Sequence, residues 1–409
     1  MSGCDGSERR RVLSVQFDPT SPDVVTDPYP FLAELRRRAP VLWHDRLGMW
    51  LAPRHAEASA VLRDRRLGRV WRPRWPDEDL PAFTLIHVHS LLESEPPVHT
   101  RLRRLVANAF ARGHVERLRP RIAALAEALA DAVADTGADG TPVDLLPAYA
   151  EPLPVAVIAE LLGIPGADRA ALRPWSNAIV KMYEYAVSPA QRQAAERASA
   201  EFVGYLRDLV AHRRRTPGDD LVSSLVAVGD ADGSRLSEEE LVTTCTLLLN
   251  AGHEASVNVV GNGMLALLRH RAELARLRSD PALVPTAVEE MIRYDAPLQL
   301  FERTATEDAE IGGVTVPAGQ KIAALLGSAN RDPAAFADPD RFDVGRADNP
   351  HIGFGAGIHY CLGAPLARVE LQVSLATLLR RFPRLALAGE PVRRREFVIR
   401  GLRTLPVTV

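Results

Sequence analysis

The sequence predicts a mainly α fold of the α+β class, and three observations carry that prediction. Apolar residues recur at helical spacing through most of the chain. The strand-like pieces are short and split between its two ends, which favours one interlaced unit over two independent domains. No internal repeat, low-complexity tract or linker interrupts the pattern. At 409 residues a sizeable core can be buried. Residues 1–26 read as a partly disordered N-terminal extension and residues 27–409 as a single domain.

In chain order, APVLWHD and LGMWLAP read as a hairpin around a glycine-containing turn. Residues 66–97 read as the mobile segment, because WRPRWPDEDLPAF is too punctuated by Pro and Trp for a long helix. HTRLRRLVANAF, HVERLRPRIAALAEALADAVAD and EPLPVAVIAELLG follow as helices, the last closed by Gly163 and Pro165. RASAEFVGYLRDLVAHRRR and EEELVTTCTLLLNAGHEASVNVVGNGMLALLRHR are two more, and Ser237 with Glu240 resembles a capping box before the second. AEIGGVTVPAGQKIAAL reads as another hairpin, and REFVIRGLRTLPVTV as terminal strands.

Composition narrows the function. With 46% hydrophobic and 25% charged residues the chain has ordinary globular composition, unlike a disordered, collagenous or disulfide-stapled protein. No apolar run approaches the roughly 18 residues of a membrane span, and MSGCDGSERRRVLS lacks the apolar stretch of a secretory signal. The expectation is a cytoplasmic, monomeric protein without a membrane partner. Lys181 and Lys321 are the only lysines, so nearly all of the 50 basic residues are arginine. They are interspersed with 52 acidic residues and form no basic block, which points to codon bias in a GC-rich genome and not to nucleic acid.

Cys4, Cys245 and Cys361 are too few and too scattered for a disulfide framework or a zinc cluster. Cys245 lies in an apolar helical pattern and reads as a small buried hydrophobe. Cys361 differs, because it sits in a turn containing Gly353, Gly355, Gly357 and Gly363 that leads into a helix. Such a turn lets the backbone approach something flat and bulky. The helix start favours a thiolate. With no second cysteine nearby, zinc and iron–sulfur sites are disfavoured, and a haem iron with one axial thiolate remains.

The run Phe354-Gly355-Ala356-Gly357-Ile358-His359-Tyr360-Cys361-Leu362-Gly363 resembles the haem-binding signature of bacterial cytochrome P450s. Glu290-Met291-Ile292-Arg293 resembles the family's Glu-x-x-Arg pair, and Arg341 in Pro339-Asp340-Arg341-Phe342 the third member of its Glu-Arg-Arg network. By the same resemblance His99, Arg103, Arg303 and His359 bind haem propionates, which need charge-assisted donors. The likeness spans about Asp27 to Thr408. It implies the P450 fold, haem b, O2 and insertion of one oxygen atom into a mid-sized organic substrate. Electrons would come from NAD(P)H through ferredoxin reductase and ferredoxin, since no flavin or ferredoxin domain is present.

One departure stands out. The central helix carries Ala251-Gly252-His253-Glu254-Ala255-Ser256, with Ala255 where the family usually has a proton-delivering threonine. Ala251 and Gly252 match the family pattern that gives O2 room where the helix locally opens, and Glu254 matches its acid. Ser256 turns about 100° away from Ala255 along a regular helix, or bonds a carbonyl one turn back. The same Ala-Ser pair occurs, by resemblance, in a macrolide-precursor hydroxylase of the family, where a substrate hydroxyl and water are thought to take over. Hydroxylation of an oxygenated polyketide or other secondary metabolite is therefore the leading expectation, with antibiotic biosynthesis as its setting. Phenol coupling, catabolic or xenobiotic oxidation, peroxide-driven oxidation and a non-catalytic P450-like partner protein are the alternatives. By resemblance the pocket is lined by Trp71 to Leu92, including Leu85, by Met182 to Tyr185, by the central helix at Leu248 to Ala251, and by Leu298 to Leu300 and Val398-Ile399. His87 and His89 read as ordinary loop residues, and Arg101, Arg104 and Arg112 as candidates for docking an acidic ferredoxin.

Overall fold

The computed structural model describes residues 17–107, 110–227 and 235–409, without the side chains of Arg112 and His114. Its body is built around one helix, Glu238–Arg269. At 32 residues this helix is about 48 Å long. It begins with the expected capping box: Ser237 Oγ accepts from Glu240 N at 3.1 Å, and Glu240 Oε2 accepts from Ser237 N at 2.8 Å. Glu238, Glu239 and Glu240 in the first turn suit the positive end of its dipole. Burial on most of its circumference makes it a core helix, not a surface helix with one apolar stripe.

Helices Pro152–Leu161, Leu172–Val180, Pro189–Arg215, Val284–Tyr294 and Ala364–Arg381 pack around it. Helix Arg112–Thr136 packs against Ala364–Arg381 and carries Pro120 in its interior. The proline removes one backbone donor, and packing sustains the helix regardless.

The sheets are peripheral. The largest joins, in order, Leu42–His44, Met49–Ala52, Lys321–Ala324, Phe301–Ala305 and Leu67–Gly68. Leu51 faces Ala323 in its one parallel pairing, so the N-terminal hairpin is stitched to mid-chain strands. Gly48 at φ +61° makes the turn of that hairpin, and Gly312 and Gly313 at +58° and +77° make the turn between Ala309–Ile311 and Val314–Val316. Near the C-terminus, Pro406–Thr408 pairs with both Val143–Asp144 and Ala386–Leu387. This interlacing is the one expected from strands at both ends of the chain.

Two expectations need correction. Residues 66–97 contain helix Pro81–Val88 and a short 3-10 turn, Leu91–Glu93. The helix starts with a proline, where no donor is needed, and Glu196 from a distant helix accepts from Ala82 N and Phe83 N at 2.9 Å each. That cap comes from more than a hundred residues away and is invisible locally. Residues 17–26, expected within a loose extension, are packed on the domain: Phe17, Val24 and Val25 are buried, and Phe17 meets Phe397 edge to face. Residues 1–16, with Cys4, lie outside the described residues.

Candidate functional site

The Cys361 turn is held by its own backbone. Cys361 N donates to Phe354 O at 2.9 Å, and Gly355 and Gly357 sit at φ +72° and +70°. A side chain on Gly357 would strike the Leu62 carbonyl, so the turn is pressed against helix His55–Arg63. Cys361 precedes the helix starting at Ala364, and Gly363 is its N-cap. Desolvation pushes the thiol above its ordinary value, while the Gly363 backbone N–H and the charges of Arg103 and Arg368 act the other way.

The four expected donors gather beside this turn. The His99 and His359 rings lie 4.5 Å apart. Arg103 Nη2 donates to Tyr360 O at 2.8 Å, next to Cys361. Arg303 is 4% exposed and donates to its neighbour's carbonyl, Glu302 O, at 2.9 Å. Burial, with Arg69 nearby, brings its guanidinium down to about 9. His99 is also buried, its Nε2 has no partner among the described residues, and burial brings its pKa to about 4. His359 Nε2 donates to Glu95 Oε1 at 2.9 Å, and Arg69 N donates to the same oxygen at 2.6 Å. The buried Arg303 cation and the unpartnered His99 nitrogen are suited to acidic groups, while the Glu95 carboxylate, itself an acceptor, orients the His359 ring. The residues present therefore fit a haem, with its two carboxylates and one sulfur ligand.

The central helix runs unbroken past this region, without the local opening expected at Ala251-Gly252. Ala251 is nevertheless exposed between buried Asn250 and His253, so the helix wall faces open space there. A Cβ on Gly252 would lie 2.8 Å from Ile158 Cδ1. Its missing side chain thus serves the close approach of helix Pro152–Leu161. Buried Glu254 accepts from Arg394 Nη1 at 2.9 Å and from Asn258 Nδ2 at 3.2 Å. Ala255 is half-buried and offers no hydroxyl. Ser256 is buried, and its side chain meets the carboxyl of Glu370 on helix Ala364–Arg381. Burial pushes that carboxyl up to about 8. Sequence reasoning missed Glu370; an acid amid Val369, Leu371 and Val373 was the available signal.

Glu290 and Arg293 form a fully buried pair, Nε to Oε2 at 2.7 Å and Nη2 to Oε1 at 2.8 Å. Arg341 does not complete it. Its side chain is 60% exposed and only its carbonyl takes part, accepting from Arg293 Nη2 at 3.1 Å. Arg346, 9% exposed, donates to Glu290 Oε2 at 3.1 Å and occupies the third place. Both arginines flank buried Phe342 and Val344, and only the turn at Gly345 swings the second one inward.

Among the expected pocket residues, Leu298 bridges to Ile399, and Val398 N donates to Glu184 Oε2 at 3.0 Å. Glu184 also accepts from Phe397 N and Ile399 N, fastening this turn to the 182–185 segment. Leu248 is buried on the central helix, and Leu85 is half-buried in helix Pro81–Val88. Trp71 is stacked on His87 at 4.3 Å. His87 is accordingly no ordinary loop residue: it is buried and bonds Tyr183 Oη at 3.1 Å. Arg101 is spoken for by Glu240 and Arg104 is exposed, while the Arg112 side chain is outside the described residues. Among the described residues no helix is long and apolar enough to cross a membrane.

Comparison with known proteins agrees with this geometry. The family described as Cytochrome P450 matches residues 75–397. Cytochrome P450 monooxygenase PikC of Streptomyces venezuelae is 44% identical over 94% of this chain and 92% of its own. 6-Deoxyerythronolide B hydroxylase of Saccharopolyspora erythraea is 41% identical over 95% and 98%. Among solved structures, the bacillaene polyketide synthase cytochrome P450 PksS of Bacillus subtilis 168 superposes with TM-score 0.86 at 37% identity, covering 96% of this chain and 99% of that one.

Proposed function

The chain belongs to the cytochrome P450 family and is a monooxygenase that uses haem and O2, and we propose that it hydroxylates an oxygenated polyketide or related secondary metabolite with Cys361 as the iron ligand. The observation that carries the assignment of the ligand is the convergence of buried donors on the Cys361 turn, with His99 Nε2 unpartnered and Arg303 buried beside it. His99, Arg103, Arg303 and His359 would hold the two haem carboxylates, and Phe354, Gly355 and Gly363 would bring the backbone close to the ring. Bound haem supplies activation of O2, helped by the electron density that a thiolate ligand pushes toward iron.

The remaining work falls to the chain's own residues. Ala251 leaves space beside the central helix. Ala255 supplies no proton, so the substrate's own hydroxyl and water take that part. Ser256 meets the buried carboxyl of Glu370, which burial pushes up to about 8. Trp71 Nε1, Thr244 Oγ1 and Asn250 Oδ1 are buried without partners among the described residues, and such polar points suit an oxygenated molecule better than a bare hydrocarbon.

Cytochrome P450s take electrons from redox partners, and we assign that role here to ferredoxin, fed from NAD(P)H by ferredoxin reductase and docking on the face that carries Arg101 and Arg104, with Arg112 the third candidate. The setting proposed is a single-domain, monomeric, cytoplasmic enzyme. The test is product analysis by mass spectrometry after turnover on oxygenated macrolactone scaffolds. A gain of one oxygen supports hydroxylation, whereas loss of two hydrogens without oxygen gain supports oxidative coupling. No turnover of any scaffold by a haem-loaded, reducible protein would return the partner-protein alternative.

A further inference from the structure

Arg368 lies two turns beyond Cys361 on the helix Ala364–Arg381 and turns back over the Cys361 loop. Its guanidinium carbon stands 4.5 Å from the centre of the Phe354 ring, and Nη1 donates to Tyr360 Oη at 3.2 Å. The two other nitrogens both donate to one carboxylate: Nε to Glu289 Oε1 at 2.7 Å and Nη2 to Glu289 Oε2 at 2.8 Å. Glu289 is held in turn by His351 Nε2 at 2.9 Å, and the His351 ring lies 5.9 Å from Phe354. The two partners are 33% and 26% exposed, so the pair is partly shielded from water. A bidentate fork, a stacked ring and a phenol fix this cation in one place. Arg368 and Arg103 both act electrostatically on the Cys361 sulfur.

We propose that Arg368 is a positioning residue that sets the electron affinity of iron bound at Cys361, with Glu289 holding it and partly cancelling its charge. The proposal rests on Cys361 being the ligand. The step concerned is a one-electron reduction: the electron would come from an external one-electron donor and take ferric iron to ferrous. The site becomes one charge more negative, so a fixed cation close by favours the reduced form and a nearby carboxylate opposes it. Local charge and hydrogen bonding are the levers a protein has on such a potential.

The test is an equilibrium redox titration of haem-loaded, substrate-free wild type, Arg368→Gln, Arg368→Lys and Glu289→Gln, each checked first for its reduced CO spectrum. At a fixed applied potential, Arg368→Gln lowers the reduced-to-oxidised ratio by about tenfold, equivalent to about 59 mV for one electron. Glu289→Gln raises that ratio, and Arg368→Lys, which keeps the charge, stays within about twofold of wild type by the same Coulomb reasoning. A residue that merely braced the loop would lower folding stability in all three without producing opposite shifts. If Arg368→Gln does not fold, the sign of the Glu289→Gln shift decides. Unchanged or same-direction shifts in proteins that keep the red-shifted CO band overturn the proposal alone. A wild type without that band overturns the Cys361 assignment and this proposal together.

Discussion

Arg394 Nη1 donates a 2.9 Å hydrogen bond to Glu254 Oε2, so a residue near the C-terminus holds the acid in the middle of the central helix. Their side chains are 17% and 6% exposed. Removing one partner of such a pair strands the other charge away from water, which costs about 3–5 kcal/mol. Arg394→Met is expected to destabilise the protein by about that much in urea unfolding, and adding Glu254→Gln should restore a large part of it. Additive losses would show that the two side chains do not depend on one another.

The Glu290 cluster separates two arginines that the sequence alone does not. Arg346→Ala should cost about 3 kcal/mol or more, because Glu290 is buried with it. Arg341→Ala should fall within about 0.5 kcal/mol of wild type, as for other exposed positions. Thermal unfolding of the two variants side by side checks this. Equal losses would put Arg341 back in the network.

Glu370 predicts a pH dependence. Burial raises its folded value to about 8 from an ordinary 4.5, so the folded state binds a proton that the unfolded chain releases. The stabilisation is complete below about pH 4.5 and is lost as pH rises through about 8. Its size is on the order of a few kcal/mol. Urea titrations of Glu370→Gln across that window should show a flatter profile than wild type. Parallel profiles would mean that Glu370 is ionised in the fold.

Ala255 makes a prediction about turnover. If the substrate hydroxyl stands in for the absent threonine, a deoxy analogue should be oxidised at least tenfold more slowly, consistent with the 10²–10⁴-fold worth of a placed proton donor. Ala255→Thr should recover part of that loss with the deoxy analogue. Equal rates for both substrates in both proteins would remove the substrate from proton delivery.

How much of this was legible in the sequence depends on how local the signal is. The capping box at Ser237, the helix ending at Leu161 with Gly163 beyond it and the two glycine hairpins all follow from residues within a few positions of one another. The Cys361 turn was legible because four glycines and one cysteine are compressed into eleven residues, Gly353 to Gly363. Helix Pro81–Val88 was not, because Glu196 caps it from another part of the chain. Glu370 was missed because its partner, Ser256, lies on a different helix. Arg341 and Arg346 are chemically identical in sequence, and only the fold turns one of them inward. Helix periodicity reports burial well, whereas polar pairs across elements wait for the structure.

The most direct test of the central claim is the difference spectrum of the dithionite-reduced, CO-bound, haem-loaded protein, recorded for wild type and Cys361→His. Thiolate ligation by Cys361 predicts a Soret band far to the red in wild type and a band at the position of imidazole-ligated haem in the variant. Freshly prepared wild type without the red-shifted band, or a variant that keeps it, would contradict the account.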